Sequence, residues 1–144
     1  MAAKPPSPNN DFSFQSREGA LAISYRRHRV ADYVYRDDTI PRPYFAHLHA
    51  PGRIQVTRNH PPQSGKDATD HDTMHPGLCL AFGDISGHDF WRNKAVIKHE
   101  RFTEPPAVRD GRLTFASESR LQTTNGPTLG TQVSRITLTA RPEG

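Results

Sequence analysis

The residues best suited to chemistry are concentrated in one polar segment. The chain has eight histidines among 144 residues, and Asp70-His71-Asp72-Thr73-Met74-His75 holds two imidazoles and two carboxylates. Imidazole nitrogen and carboxylate oxygen are ligands of Zn, Fe, Mn and Cu, and a histidine beside an orienting carboxylate also suits general acid–base catalysis. The pattern predicts either a divalent metal site of His71, His75 and Asp70, or an acid–base pair of His75 and His71. The alternative is a solvated loop in which an aspartate caps a turn.

Four further residues are candidates for the same site. His99 lies on a segment with β-strand character and would be a second proton carrier, the alternative being a half-exposed strand residue. Asp84 follows an apolar segment and either binds a ligand, orients a histidine, or hydrogen-bonds the turn that it begins. Arg58 and Trp91 would hold a ligand, because an exposed indole stacks on sugar rings, whereas core packing is the alternative for Trp91.

The elements that would position these residues are short β-strands separated by turns. The 13 prolines and 10 glycines interrupt long helices, and no ten-residue helical period is present. Strand-like segments are predicted at residues 20–25, 30–35, 53–57, 77–82, 95–102, 112–117, 119–124 and 132–140. We expect an all-β fold, an antiparallel β-sandwich, as a single domain at 19–144 that follows a flexible leader at 1–18. Residues 60–74 form a long polar loop, which is typical of functional or disordered segments.

Composition excludes several classes of protein. The longest apolar run, residues 78–82, is far shorter than the roughly 18 residues of a membrane-spanning helix, so no membrane partner is expected. The formal net charge is +4, but the only dense basic cluster is at 26–29 and no aromatic-interleaved basic motif accompanies it. We therefore expect no nucleic-acid partner. The single cysteine and the lack of a secretory signal favour the cytoplasm.

The segment from His71 to Trp91 also carries a set of sequence motifs. They are the His-rich loop, His75-Pro76-Gly77-Leu78, an apolar strand, Gly83-Asp84-Ile85-Ser86-Gly87 and Asp89-Phe90-Trp91. Further matching segments are Arg42-Pro43-Tyr44-Phe45, residues 56–62 and Ile97-Lys98-His99. Together they resemble the bacterial PmoA-like family, whose soluble members often carry the label "methane oxygenase PmoA". The resemblance covers roughly residues 19–140.

The resemblance implies a β-sandwich similar to galactose mutarotase-like supersandwiches, in a family associated with bacterial sugar degradation. Many members have H-P-H-H-R-G where this chain has residues 71–77, so one imidazole is absent here. Members are also longer, and the chain looks like their N-terminal half. This implies either a fragment or self-association through an open sheet edge. A particulate methane oxygenase subunit is an integral membrane protein, which this composition does not allow.

We therefore expect a cytoplasmic β-sandwich protein that acts on or binds a sugar derivative through its His-rich loop. Its cofactor is unknown, with a divalent metal ion as the candidate. The alternative from another class is a non-catalytic binding or scaffold module whose loop histidines are merely polar. A copper-dependent oxygenase is the third interpretation, and it requires a compact His-rich copper site.

Overall fold

The structure, a computed structural model, describes residues 11–140, and β-strands dominate it. The strands are β1 (Phe12–Arg17), β2 (Ala20–Tyr25), β3 (His28–Val34), β4 (Tyr44–Ala46), β5 (His49–Ala50), β6 (Ile54–Gln55), β7 (Asp84–Ile85), β8 (His88–Asp89), β9 (Ala95–Arg109), β10 (Arg112–Thr123) and β11 (Thr128–Thr139). The only helical element in this part of the chain is a 3-10 turn at Pro51–Arg53. No helix within residues 11–140 has the length and apolar character needed to cross a membrane.

Two antiparallel sheets form the body of the domain. One has the strand order β1-β2-β3-β4, and the other has the order β11-β10-β9. The strands β5 and β6 form a separate short hairpin, and so do β7 and β8. Every strand pair is antiparallel and most connect consecutive strands, as expected for sheets built from hairpins.

The core lies between the inner faces of these two sheets. Leu21 and Ile23 alternate along β2, and Leu113 and Phe115 alternate along β10, so each strand directs one row of apolar side chains inward. These residues form one buried cluster with Tyr33 of β3. Burial of each such side chain contributes about 1.5–3 kcal/mol. Apolar residues of both sheets thus share one core, and the prediction of an all-β antiparallel sandwich is confirmed.

The prediction of a flexible leader over residues 1–18 is wrong for residues 12–17. Phe12–Arg17 forms β1, which pairs along its whole length with β2. Phe12 is buried, and its ring lies 4.8 Å from that of Tyr25. Phe12 and Phe14 alternate with the polar residues Ser13 and Gln15, and the two phenylalanines of this period-two pattern pack on the core. Residues 1–10 lie outside the described part of the chain.

The prediction of a strand over residues 77–82 is also wrong. Only Leu78 pairs, through two backbone hydrogen bonds of 2.8 and 2.9 Å with Phe45 of β4. Leu78 is 59% exposed and Leu80 is 61% exposed. Their alternation suggested a buried strand, but beyond Leu78 this segment has no partner strand, and periodicity alone does not supply one.

Other strand boundaries also differ from the prediction, among them those of β3, which begins at His28, and of β11, which begins at Thr128. The segments 112–117 and 119–124 belong to the single strand β10, and β9 continues past residue 102 to Arg109. Irregular register between β9 and β10 accommodates the extra length of β9. The segment 53–57 contributes only Ile54–Gln55, because the preceding residues form the 3-10 turn.

Candidate functional site

The polar loop at 60–74 is organised by the guanidinium of Arg58. Arg58 Nε donates to the carbonyl oxygen of His75 at 3.0 Å, and Nη2 donates to that of His71 at 3.0 Å. Nη1 donates to the carbonyl oxygens of Ala68 and Asp70 at 2.7 and 2.8 Å. Four of the five N–H groups of this side chain are therefore committed to one loop. Arg58 was predicted to hold a ligand, whereas in the structure it positions the backbone that carries both loop histidines.

A carboxylate fixes the first half of the same loop. Asp67 accepts hydrogen bonds from the backbone and side-chain nitrogens of Asn59, at 3.1 and 2.9 Å, and from the backbone N of Gln63 at 2.8 Å. The hydrogen bond from the Asn59 side chain is the main cause of the lowered pKa of the Asp67 carboxyl. Hydrogen bonds of two side chains, Arg58 and Asp67, therefore hold the loop in place in addition to its two ends.

The structure brings three of the predicted site residues together as one cluster. The rings of His71 and His75 lie edge to face with centroids 6.0 Å apart. His75 in turn meets the indole of Trp91 edge to face at 5.8 Å. We call His71, His75 and Trp91 the Trp91 cluster. Trp91 is 42% exposed, so the core-packing alternative is wrong for this residue.

A series of polar contacts connects Trp91 to the polar loop. The buried side chain of Arg42 donates from Nη2 to the carbonyl oxygen of Trp91 at 3.0 Å and also contacts Asn93 Oδ1. Asn93 Nδ2 donates to the carbonyl oxygen of Thr73 at 2.9 Å. Asp89 Oδ1 accepts from the backbone N of Trp91 at 2.9 Å. The two chain segments that carry the Trp91 cluster are thus fixed relative to each other.

The carboxylate of Asp70 orients His71. Asp70 Oδ2 lies 3.0 Å from His71 Nδ1. This hydrogen bond is the main cause of the lowered pKa of the Asp70 carboxyl, and the charge of Arg58 adds to it. A charged Asp70 favours the His71 tautomer with a proton on Nδ1, which leaves Nε2 free to accept a proton. The pair has the chemistry of a general base.

The predicted metal site does not fit this arrangement. Among residues 11–140 no three His, Cys, Asp or Glu side chains are grouped so that they could hold a metal ion. The carboxylate of Asp70 is engaged with the ring of His71, and His75 faces Trp91. No metal-dependent step can be derived from Asp70, His71 and His75.

Asp84 stabilises the turn of the hairpin in which it lies. Its Oδ1 accepts a hydrogen bond of 2.6 Å from the backbone N of Gly87, in the turn that connects β7 and β8. This is the turn role that the sequence left open. No contact joins Asp84 to a histidine in the described residues, and its prediction as a ligand-binding residue gains no support from this geometry.

His99 belongs to the interior of the sandwich. It is 5% exposed, its Nδ1 lies 2.8 Å from Ser117 Oγ, and its ring packs on Tyr35 and Phe102 at centroid distances of 4.6 and 4.9 Å. Burial lowers the pKa of His99, and the charge of Arg36 lowers it further. His99 thus has a different set of contacts from the Trp91 cluster, and the half-exposed alternative is wrong too.

Sequence reasoning missed a carboxylate–imidazole pair on the first sheet. Asp32 of β3 is 8% exposed, and its Oδ2 lies 3.0 Å from Nδ1 of His47 and contacts the guanidinium of Arg29. Its Oδ1 has no hydrogen-bond partner. The available signal was an aspartate at a buried position within an apolar strand, since a buried carboxylate requires a partner.

A second missed group surrounds Tyr44. The Tyr44 hydroxyl donates to Asp37 Oδ2 at 2.7 Å, and the ring of His60 lies edge to face with Tyr44 at 5.5 Å. Burial lowers the pKa of His60, whose Nδ1 has no hydrogen-bond partner. The contact of His60 with Tyr44 anchors the start of the polar loop to β4.

The fold and site define the class of protein: an antiparallel β-sandwich with a polar loop that is held by internal hydrogen bonds and lies beside an exposed tryptophan. Residues 20–144 match the model of DUF6807, described as a family of unknown function, and the chain therefore belongs to that family. No curated protein and no solved structure matches the chain.

Proposed function

We propose that this protein binds a sugar or sugar derivative at the Trp91 cluster. The observation that carries the proposal is the exposed indole of Trp91 with the imidazole of His75 against it, 5.8 Å between ring centroids. An exposed indole offers an apolar face to a sugar ring, and neighbouring imidazole nitrogens form hydrogen bonds with hydroxyl groups.

A proton-transfer role follows from the same residues. Asp70 holds Nδ1 of His71, so Nε2 of His71 is the group that would take a proton from a bound hydroxyl or from a carbon next to a carbonyl. His75, between His71 and Trp91, would orient the ligand. In this proposal Arg58 contributes by holding the carbonyl oxygens of both histidines, not by contacting the ligand.

The experiment is a thermal-shift screen of neutral and amino monosaccharides against the full chain. A ligand that raises the Tm of the wild type should fail to do so for Trp91→Ala and for His75→Ala. The matched control is His28→Ala, an exposed histidine outside the cluster. Equal shifts in the wild type and both cluster variants would contradict the proposal, as would the absence of any shift.

A non-catalytic module that self-associates is the second candidate. Its supporting observation is β11, a 12-residue strand at the edge of its sheet, with Val133 49% exposed. Long edge strands present unpaired backbone groups to other chains. Sedimentation velocity over a range of concentrations tests this candidate, and a monomer at all of them would contradict it.

We propose the cytoplasm as the site of action, because the chain has a single, partly buried cysteine. The likeness to the PmoA-like family and to supersandwich folds, and the exclusion of nucleic-acid partners, remain predictions from the sequence. A copper-dependent oxygenase would require a compact His-rich site, and within residues 11–140 no such donor group supports it.

A further inference from the structure

We propose that the outer face of β1, β2 and β3 is a binding groove for an acidic oligosaccharide. An open depression of about 320 Å³ lies on this face. We call it the arginine groove. It is lined by Ser13, Phe14, Gln15, Arg17, Ala22, Ile23, Ser24, Arg27 and Arg29. None of these residues belongs to the Trp91 cluster, so the inference does not rest on the proposed function.

The shape of the groove follows from strand alternation. Ser13, Gln15 and Arg17 are the exposed residues of β1 that alternate with the inward-facing phenylalanines. Across the ladder Ser13 pairs with Ser24, and Gln15 pairs with Ala22. Small side chains on β2 therefore form a floor, and the longer side chains of the neighbouring strands form its walls.

The charge of the groove is positive. Three guanidinium groups line it and no carboxylate does. In the part of the chain that the structure describes, the side chains of Arg17 and Arg27 form no ion pair and no hydrogen bond. Arg29 contacts the buried carboxylate of Asp32, which is also contacted by His47. The two unpaired guanidinium groups are available to carboxylate or sulfate groups, which they can bind in a bidentate manner.

The spacing of the arginines favours a chain-like ligand. Arg17 pairs with Ala20 at one end of β2, and Arg27 follows Tyr25 at the other end. Five residue steps at about 3.4 Å each separate these ends by roughly 17 Å. A single phosphate or sulfate ion does not span that length. An anion with charges repeated along a chain does.

The remaining lining residues favour a saccharide among such chains. The hydroxyl groups of Ser13 and Ser24 and the amide of Gln15 match the hydroxyl groups of a sugar. The one aromatic residue of the lining, Phe14, is partly buried and packs against the core. Single-stranded nucleic acid binds by stacking bases on exposed aromatic rings, and the groove does not offer them.

The experiment is a calorimetric titration of the full chain with a sulfated dextran oligosaccharide. Neutral dextran, linear polyphosphate and oligothymidine are run as comparison probes. The test variant is Arg17→Gln/Arg27→Gln. The matched control is Arg109→Gln/Arg112→Gln, which removes the same charge from the β9–β10 hairpin. Thermal unfolding of each variant checks that the fold is retained, as expected for exposed positions.

The expected result is binding of the sulfated oligosaccharide, no binding of neutral dextran, and a Kd at least about tenfold higher in Arg17→Gln/Arg27→Gln, since two groups that form charge-assisted hydrogen bonds with the ligand are lost. The control variant should change the Kd less than about twofold. Ser13→Ala/Ser24→Ala should weaken binding of the oligosaccharide more than that of polyphosphate. Absence of binding, equal weakening in the control, or tighter binding of polyphosphate or oligothymidine would overturn the proposal.

Discussion

Arg58 Nε donates to the carbonyl oxygen of His75 at 3.0 Å, across 17 residues of chain. This contact joins His75, which directly follows the polar loop, to Arg58, which lies two residues before its start. The guanidinium is largely buried, with 16% of the side chain exposed. A side chain of the type expected to bind a ligand thus serves to fix the backbone that presents His75 to Trp91.

Arg58→Lys should destabilise the loop and the fold. A lysine is a single charged point with three donors and does not reproduce the planar fork that contacts four carbonyl oxygens. We expect a loss of about 2 kcal/mol in the free energy of unfolding, measured by urea denaturation. Proteolysis within residues 60–74 should also become faster.

Arg120→Lys is the control for that variant. Arg120 forms an exposed ion pair of 2.8 Å with Glu100, and such a pair contributes less than about 1 kcal/mol. A loss of stability in Arg58→Lys no larger than in Arg120→Lys would contradict the positioning role.

Gly77→Ala should separate the end of the polar loop from the sheet. A Cβ atom at Gly77 would overlap the carbonyl oxygen of Phe45, which accepts the hydrogen bond from the backbone N of Leu78. The carbonyl oxygen of Phe45 belongs to the backbone of β4, so it cannot move away from the added Cβ atom without disturbing the sheet. We expect a fall in Tm, measured by calorimetry. Gly83→Ala is the matched control, since an added Cβ there meets nothing within 4 Å, and an equal fall in both variants would count against this explanation.

The pH dependence of stability should report the burial of His99. Burial and the charge of Arg36 lower the pKa of His99 in the folded protein, whereas in the unfolded chain it titrates near about 6.5. The unfolded state therefore binds more protons between these two values. The stability contributed by neutral His99 is present above about pH 6.5 and is lost as the pH falls through the folded-state value.

His99→Gln should remove part of this dependence. We expect the Tm of the variant to fall less steeply than that of the wild type between about pH 7 and about pH 5. His60, whose pKa is also lowered by burial, accounts for a remaining slope. His28→Gln, at an exposed position, is the control. Parallel Tm profiles for His99→Gln and the wild type would refute this assignment.

The sequence predicted those elements whose apolar periodicity matches their packing. Leu21 and Ile23 alternate within a segment bounded by turns, and the predicted boundaries of β2 agree with the structure. The same reasoning failed for Leu78 and Leu80, because alternation does not show whether a partner strand is present.

The site was predictable in part, for a physical reason. The loop histidines and Trp91 are residue types with recognisable chemistry, and they lie within one segment of the sequence. The roles of Arg58 and Asp32 depend on partners brought close by folding: backbone carbonyl oxygens for Arg58, and a histidine 15 residues away for Asp32. Residue types and short spacings do not encode those contacts.

The central claim is that Trp91 and its histidines form the ligand site, and the chain offers a direct probe of it. Trp91 is the single tryptophan, so a change in tryptophan fluorescence reports on this position alone. We expect a sugar derivative that raises the Tm to change this fluorescence saturably, and His75→Ala to weaken the effect at least about tenfold while His28→Ala leaves it intact. Tryptophan fluorescence that stays constant while the same ligand still raises the Tm would contradict the account.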